Sequence, residues 1–152
     1  MQIVILCGGQ GSRLGKLSKN TPKSLLKING IPFMKYLINS FASFKPSSIH
    51  FCLGKFSEQI LNFLENENLD LPISYSIENE NNLLGTGGAI KNCLEYLENN
   101  FIVQYGDTIL DLNYSDLYSY HVKKRKEMTL TILPISMTNE NPNIICTYQD
   151  NG

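Results

Sequence analysis

No stretch of this sequence stays apolar for anything near the ~20 residues that cross a bilayer. The N-terminal run in MQIVILCGG breaks at Gly8 with no basic segment ahead of it, so neither a membrane span nor an export signal is expected, and a cytoplasmic protein is. Charge of one sign is lacking too. The 13 Lys and Arg against 14 Asp and Glu leave a net charge of -1, which excludes a generalised polyanion-binding surface. Any phosphate must therefore be held locally. There is no CxxC: Cys7, Cys52, Cys93 and Cys146 are widely scattered, three of them inside apolar runs, and reduced core cysteines are expected. Linkers, repeats and low-complexity segments are absent as well.

What remains is an ordinary globular composition, 42% hydrophobic and 18% charged, in 152 residues. One domain of this size buries roughly 68–70% of the surface of its unfolded chain, enough for a core without staples. Apolar, β-branched runs at Ile3–Cys7, Ile49–Leu53, Ile73–Ile77, Phe101–Tyr105, Thr129–Ile135 and Ile144–Tyr148 predict buried strands. Helical spacing links Phe33, Tyr36, Leu37, Phe41 and Phe44, then Ile60, Leu61 and Leu64, then Ile90, Leu94 and Leu97, then Leu117, Tyr120 and His121. Pro32, Ser57 and Ser115 read as helix starts. The alternation predicts a mostly parallel sheet covered on both faces. Ligands of such sheets bind beyond the carboxyl ends of the strands, which directs attention to the turns after Cys7 and Tyr105 and to a third, glycine-rich turn in LLGTGGAIKN.

The first turn, ILCGGQGSRLG, places Gly8, Gly9 and Gly11 where positive φ and close approach of backbone N–H groups would form an anion nest. It is not a Walker loop, because Gln10 stands where that pattern needs glycine and Leu17 replaces the magnesium-binding Ser/Thr. Nor is it a dinucleotide fingerprint: Leu14 replaces the third glycine, and Gly54 and Lys55 follow the next strand in place of an acid. Lys23, behind the rigid Pro22, adds a cation after the same loop.

The segment LCGGQGSRLGKLSKNTPKSLLKINGIPFMKYLI resembles the signature of the sugar-phosphate nucleotidylyltransferases, Gly-Gly-x-Gly-Ser/Thr-Arg-Leu followed by Pro-Lys and an apolar stretch. LLGTGGAIKN is similar to that family's base-binding segment and QYGDT to its metal-binding strand end, in the same order. The resemblance implies a Rossmann-like α/β fold, a three-layer α/β/α sandwich with a mostly parallel, mixed sheet. It implies magnesium-dependent transfer of a nucleoside monophosphate from a nucleoside triphosphate to a sugar 1-phosphate, releasing pyrophosphate and making an activated nucleotide sugar for cell-surface polysaccharide. In that scheme Leu6, Gly8, Gly9, Gly11 and Ser12 hold the nucleotide, and Arg13 neutralises the departing pyrophosphate. Lys23 bridges the α-phosphate and the incoming phosphate. Asp107 holds Mg2+, and Gly85, Thr86 and Gly88 contact the base with Glu78 nearby. Thr86 also reads as a helix cap.

Ser24 departs from the family pattern, which usually has a second proline there, and so does Lys16. NIICTYQDNG reads as a strand entering a hairpin turn with no return strand. The family's later Glu-Lys pair, Asn and second metal-binding Asp do not appear. A single domain over 1–152 is therefore expected, the amino-terminal part of a usual member, with weak or no turnover alone. Two rival readings stand beside it: a cytidylyltransferase of the same family using a phosphocholine-like or phospho-amino acid acceptor, and a nucleotide-binding regulatory module without turnover. Nucleic-acid and membrane partners are not expected, because KKRK at Lys123–Lys126 ends a predicted helix, where cations complement the dipole. A homo-oligomer is left open. His50 and His121 read as structural or surface residues.

Overall fold

The computed structural model describes residues 1–9, 15, 18–79, 81–82 and 84–132. Strand β1 (Gln2–Cys7) leads to a 3-10 turn (Lys23–Leu25), a short hairpin β2 (Lys27–Ile28) and β3 (Ile31–Pro32), and helix α1 (Phe33–Ser40). There follow β4 (Ile49–Leu53), α2 (Ser57–Asn66), β5 (Ile73–Ile77), α3 (Gly85–Asn92), a 3-10 turn (Leu94–Tyr96), β6 (Phe101–Tyr105) and α4 (Tyr114–Lys124). Contacts group the chain into two compact units, Met1–Tyr114 and Ser115–Gly152.

The first unit is a four-stranded sheet in the order β5-β4-β1-β6, every pairing parallel. Side-chain alternation along the two central strands builds both layers. Ile3 and Ile5 of β1 join Ile49, Phe51 and Leu53 of β4 under α1 and α2, where Met34, Leu37, Ile60 and Leu64 are buried. Val4 of β1 and Cys52 of β4 point the other way, onto Ala89 and Cys93. Helices thus cover both faces, the three-layer arrangement expected of a parallel sheet. Phe41 packs edge-on against Tyr114, closing the first layer.

Four of the predicted strands fall where the pattern put them, β1 gaining only Gln2. Residues 129–132 form no strand; the rest of Thr129–Ile135 and all of Ile144–Tyr148 lie outside the described residues. The helix expected to run through Leu97 stops at Asn92 and tightens into a 3-10 turn. The β2–β3 hairpin, unforeseen, turns on Asn29 and Gly30, both at positive φ, although Asn-Gly is a strong two-residue hairpin signal.

In the second unit α4 ends within KKRK, where Arg125 takes a left-handed φ of 51° and its N–H returns to the His121 carbonyl. His121 Nδ1 lies 2.9 Å from Thr129 Oγ1. Among the described residues no helix is long and apolar enough to cross a membrane.

Candidate active site

The strand order reverses at β1, with β4 and β5 on one side and β6 on the other. Crevices form at such switch points, and here a cleft of about 240 Å³ opens beyond the strand ends, lined by Cys7, Gly8, Gly9 and Gly106 among others.

Two glycines from neighbouring strands set how tightly this floor is built. A Cβ placed on Gly54, just after β4, would come within 2.8 Å of the Gly8 carbonyl oxygen and 2.9 Å of its Cα. A Cβ on Gly106, just after β6, would meet Cys7 Sγ at 2.5 Å and the Leu6 carbonyl oxygen at 3.0 Å. The Gly106 N–H meanwhile donates to that same Leu6 oxygen at 3.0 Å. Gly8 and Gly9 were expected to supply positive φ; among the described residues neither does so. Among the described residues, a Cβ on Gly8 would make only ordinary contact with Glu78, and one on Gly9 would touch nothing. Close approach of neighbouring strand ends is thus required at Gly54 and Gly106.

Pro22 and the 3-10 turn after it carry Lys23 to the cleft; the Leu25 N–H donates to the Pro22 carbonyl at 2.9 Å. There Lys23 Nζ donates to Asp107 Oδ2 at 3.2 Å, across 84 positions of sequence. Ser24, the departure from the family pattern, is buried and lines the same cleft. Burial, aided by the Cys52 thiol and the Asp107 carboxylate, pushes the Cys7 thiol far above its ordinary range, so it stays protonated and is no nucleophile.

Asp107 is held from below by a residue that sequence reasoning missed. Gln104, 3% exposed, donates through Nε2 to the carbonyls of Thr108 at 2.8 Å and Tyr105 at 3.2 Å, and its Oε1 accepts from the Tyr114 hydroxyl. It therefore clamps both ends of the turn that presents Asp107. Its signal was a lone polar residue within FIVQY.

Glu78 follows β5 and is 6% exposed. Its Oε2 accepts the Leu84 N–H at 3.1 Å, and its Oε1 faces Gly8. The expected cap, Thr86, lies inside α3, whose N-cap position is Leu84 without a side-chain cap bond. Glu78 satisfies a backbone donor at that helix entry instead. Thus the cleft gathers Leu6, Gly8, Gly9, Lys23, Glu78, Gly85, Thr86 and Asp107 of the expected set. Gly88 is not on the lining, which takes Ala89 from the same helix. Gly11, Ser12 and Arg13 lie outside the described residues.

Comparison with known proteins gives a consistent picture. The family model for nucleotidyl transferases matches residues 2–143. The chain is similar to a D-glycero-alpha-D-manno-heptose 1-phosphate guanylyltransferase of Campylobacter jejuni, 38% identical over 117 residues, covering 77% of this chain and 52% of that protein. A protein of the same name from Aneurinibacillus thermoaerophilus is 30% identical over 136 residues, covering 89% of this chain and 58% of the relative. Among solved structures, HddC from Yersinia pseudotuberculosis complexed with GMP-PN superposes with a TM-score of 0.71 at 34% identity, covering 80% of this chain and 54% of that one. The chain spans about half the length of these relatives.

Proposed function

The chain belongs to the nucleotidyl transferase family, and from that premise we propose that it is the nucleotide-binding part of a guanylyltransferase acting on GTP and a sugar 1-phosphate, a heptose 1-phosphate first among candidates. The meeting of Lys23 and Asp107 at one cleft carries this reading. An acceptor phosphate oxygen forms a bond to the α-phosphorus while the bond to the β-phosphate oxygen breaks, and its electron pair leaves with pyrophosphate. Two anions must meet in line, so alignment and charge dominate the barrier.

Each residue then answers one part of that barrier. Backbone N–H groups of Gly8 and Gly9 receive nucleotide oxygens, joined by Leu6, Gly11 and Ser12. Arg13 meets the departing pyrophosphate, and the Lys23 ammonium sits between the α-phosphate and the acceptor phosphate. Asp107 is a part-exposed carboxylate that already faces a cation, and its hard oxygens suit a magnesium ion that keeps several waters. Bound there, the ion would neutralise phosphate charge. Exposed ion pairs contribute only about 0–1 kcal/mol, so Lys23 and Asp107 can part at little cost, one toward phosphate and one toward the metal.

Glu78 supports the choice of guanine, beside the relatives' names. Its buried carboxylate offers acceptors at the cleft wall, and guanine's Watson–Crick edge offers two adjacent N–H donors where uracil and thymine offer one. Gly85 and Thr86, at the start of α3, line the same cleft wall and would face the base with it. Acceptor contacts come mainly from the part of the relatives' length that this chain does not span, and the nucleotide sugar formed would serve cell-surface polysaccharide.

The test is thermal stabilisation by five nucleoside triphosphates with magnesium. A ligand at a hundredfold excess over its Kd adds about 2.7 kcal/mol, roughly 5–10 °C for a domain of this size. GTP should give the largest shift. No shift with any triphosphate would overturn the nucleotide site, and an equal shift with CTP would overturn the guanine assignment.

A further inference from the structure

On the sheet face covered by α3, two residues of β4 and one at the end of α3 form a cluster with no part in the chemistry above. His50, Cys52 and Cys93 place one imidazole nitrogen and two sulfurs within 4.8 Å of one another, all three residues buried. The two sulfurs are 3.6 Å apart. Two thiolates on one tetrahedral zinc ion, each at about 2.3 Å, stand about 3.8 Å apart, so the pair already has the spacing of metal ligands. The imidazole is oriented as well: its ring stacks on Tyr96 at 5.3 Å between centroids, and its Nδ1 lies 2.8 Å from Ser74 Oγ. A hydrogen bond from the far nitrogen to an oxygen is what fixes the tautomer of a metal-bound histidine. Nε2 lies 3.2 Å from the hydroxyl of Ser76, the residue that stands opposite Cys52 in the β4–β5 register.

We propose that His50 Nε2 and the thiolates of Cys52 and Cys93 form a binding site for one soft divalent cation of the zinc class. Three protein ligands leave a fourth tetrahedral position, beside Ser76, for that hydroxyl or a water. Binding releases two protons, one from each thiol, and the cation with two thiolates and a neutral imidazole leaves no net charge in the core. Burial lowers the pKa of His50, keeping a lone pair free, whereas it pushes Cys52 up to about 12, so the cation has to displace that proton and binding should strengthen as pH rises. Without a cation both cysteines are therefore thiols.

The ion would tie the end of α3, where Cys93 stands at the C-cap, to the middle of β4. The other end of that helix carries Gly85 and Thr86 at the cleft. Any effect on nucleotide binding rests on the function proposed above; the metal site itself does not.

Cobalt is the probe. The full chain, reduced and stripped with chelator, is titrated with Co2+ without nucleotide. One equivalent should raise a thiolate-to-cobalt charge-transfer band and the intense visible bands of a tetrahedral centre, and zinc should bleach both. The bands should vanish in Cys52→Ser and Cys93→Ser and persist in Cys146→Ser. His50→Gln, which keeps both thiols, should retain the charge-transfer band with at least tenfold weaker binding. Absence of the bands in the folded wild type would overturn the proposal whatever the variants do, as would bands that survive loss of Cys52 or Cys93. A failed nucleotide panel leaves this readout untouched.

Discussion

Gln104→Leu should loosen the turn that presents Asp107 more than it loosens the fold. The substitution keeps the volume buried in β6 but removes three hydrogen bonds, two donated to the carbonyls of Tyr105 and Thr108 and one accepted from Tyr114. Tyr105 and Thr108 are exposed, so water can replace those donors and each loss costs about 0.5–1 kcal/mol. The Tyr114 hydroxyl belongs to a residue that is 3% exposed, and stranding it costs about 1–3 kcal/mol. The sum, roughly 2–5 kcal/mol, corresponds to a fall of about 4–20 °C in Tm. Tyr114→Phe is the discriminating control, because it removes the hydroxyl but leaves both clamps on the turn. Calorimetric titration with GTP and magnesium, below both transitions, should show binding about tenfold weaker in Gln104→Leu, or 1.4 kcal/mol, and close to wild type in Tyr114→Phe. Equal weakening in the two variants, or none in Gln104→Leu, would refute the clamp.

Lys23→Ala and Asp107→Asn should each shift stability by no more than about 1 kcal/mol, since their ion pair is exposed. In the complete protein, however, single-turnover assays should show Lys23→Ala losing most of its chemistry and Asp107→Asn its magnesium dependence; near-normal rates would remove those roles. Gly54→Ala should cost about 1–3 kcal/mol by overpacking against Gly8, whereas Gly9→Ala, whose added methyl meets no atom of the described residues, should melt like wild type yet bind GTP less well. Denaturant melts and the titration separate the two effects. Glu78→Gln should narrow the preference for GTP over the other triphosphates in the thermal panel; an unchanged ranking would take base recognition away from Glu78.

Strand positions were legible from short apolar or alternating runs, but the burial expected of all four holds only for IVILC and IHFCL; ISYSI and FIVQY, at the two ends of the strand order, are largely exposed. Lys23 and Asp107 were legible as residues of motifs, each at a fixed place in a quoted pattern. Their contact was not. It depends on β6 pairing with β1 in register, Leu6 opposite Tyr105, and that pairing joins segments nearly a hundred residues apart. Gly54 and Gly106 were hidden for the same reason. In sequence each is merely the residue after a strand; only the adjacent strand end shows that a methyl group there would strike backbone or Cys7. The end of α3 was misjudged on periodicity alone, since Ile90, Leu94 and Leu97 keep helical spacing across a stretch where the chain tightens into a 3-10 turn.

The His50 cluster is hidden from ligand spacing by the same long sequence separations. Metal motifs are recognisable when ligands come in short pairs, and here Cys52 and Cys93 are 41 positions apart. His50 and Cys52 are two apart on one strand, which puts both on the same face but also describes any two alternate residues. What distinguishes them is the register with β5: His50 lies opposite Ser74 and Cys52 opposite Ser76, two small hydroxyl residues on a face where a buried strand would ordinarily place aliphatic side chains. Those serines satisfy the imidazole, and their small size leaves room beside the thiols. The polar row in ISYSI was thus the one local sign of the cluster. It becomes readable only once β4 and β5 are known to pair in parallel without a slip, because a shift of one residue would turn both serines to the opposite face.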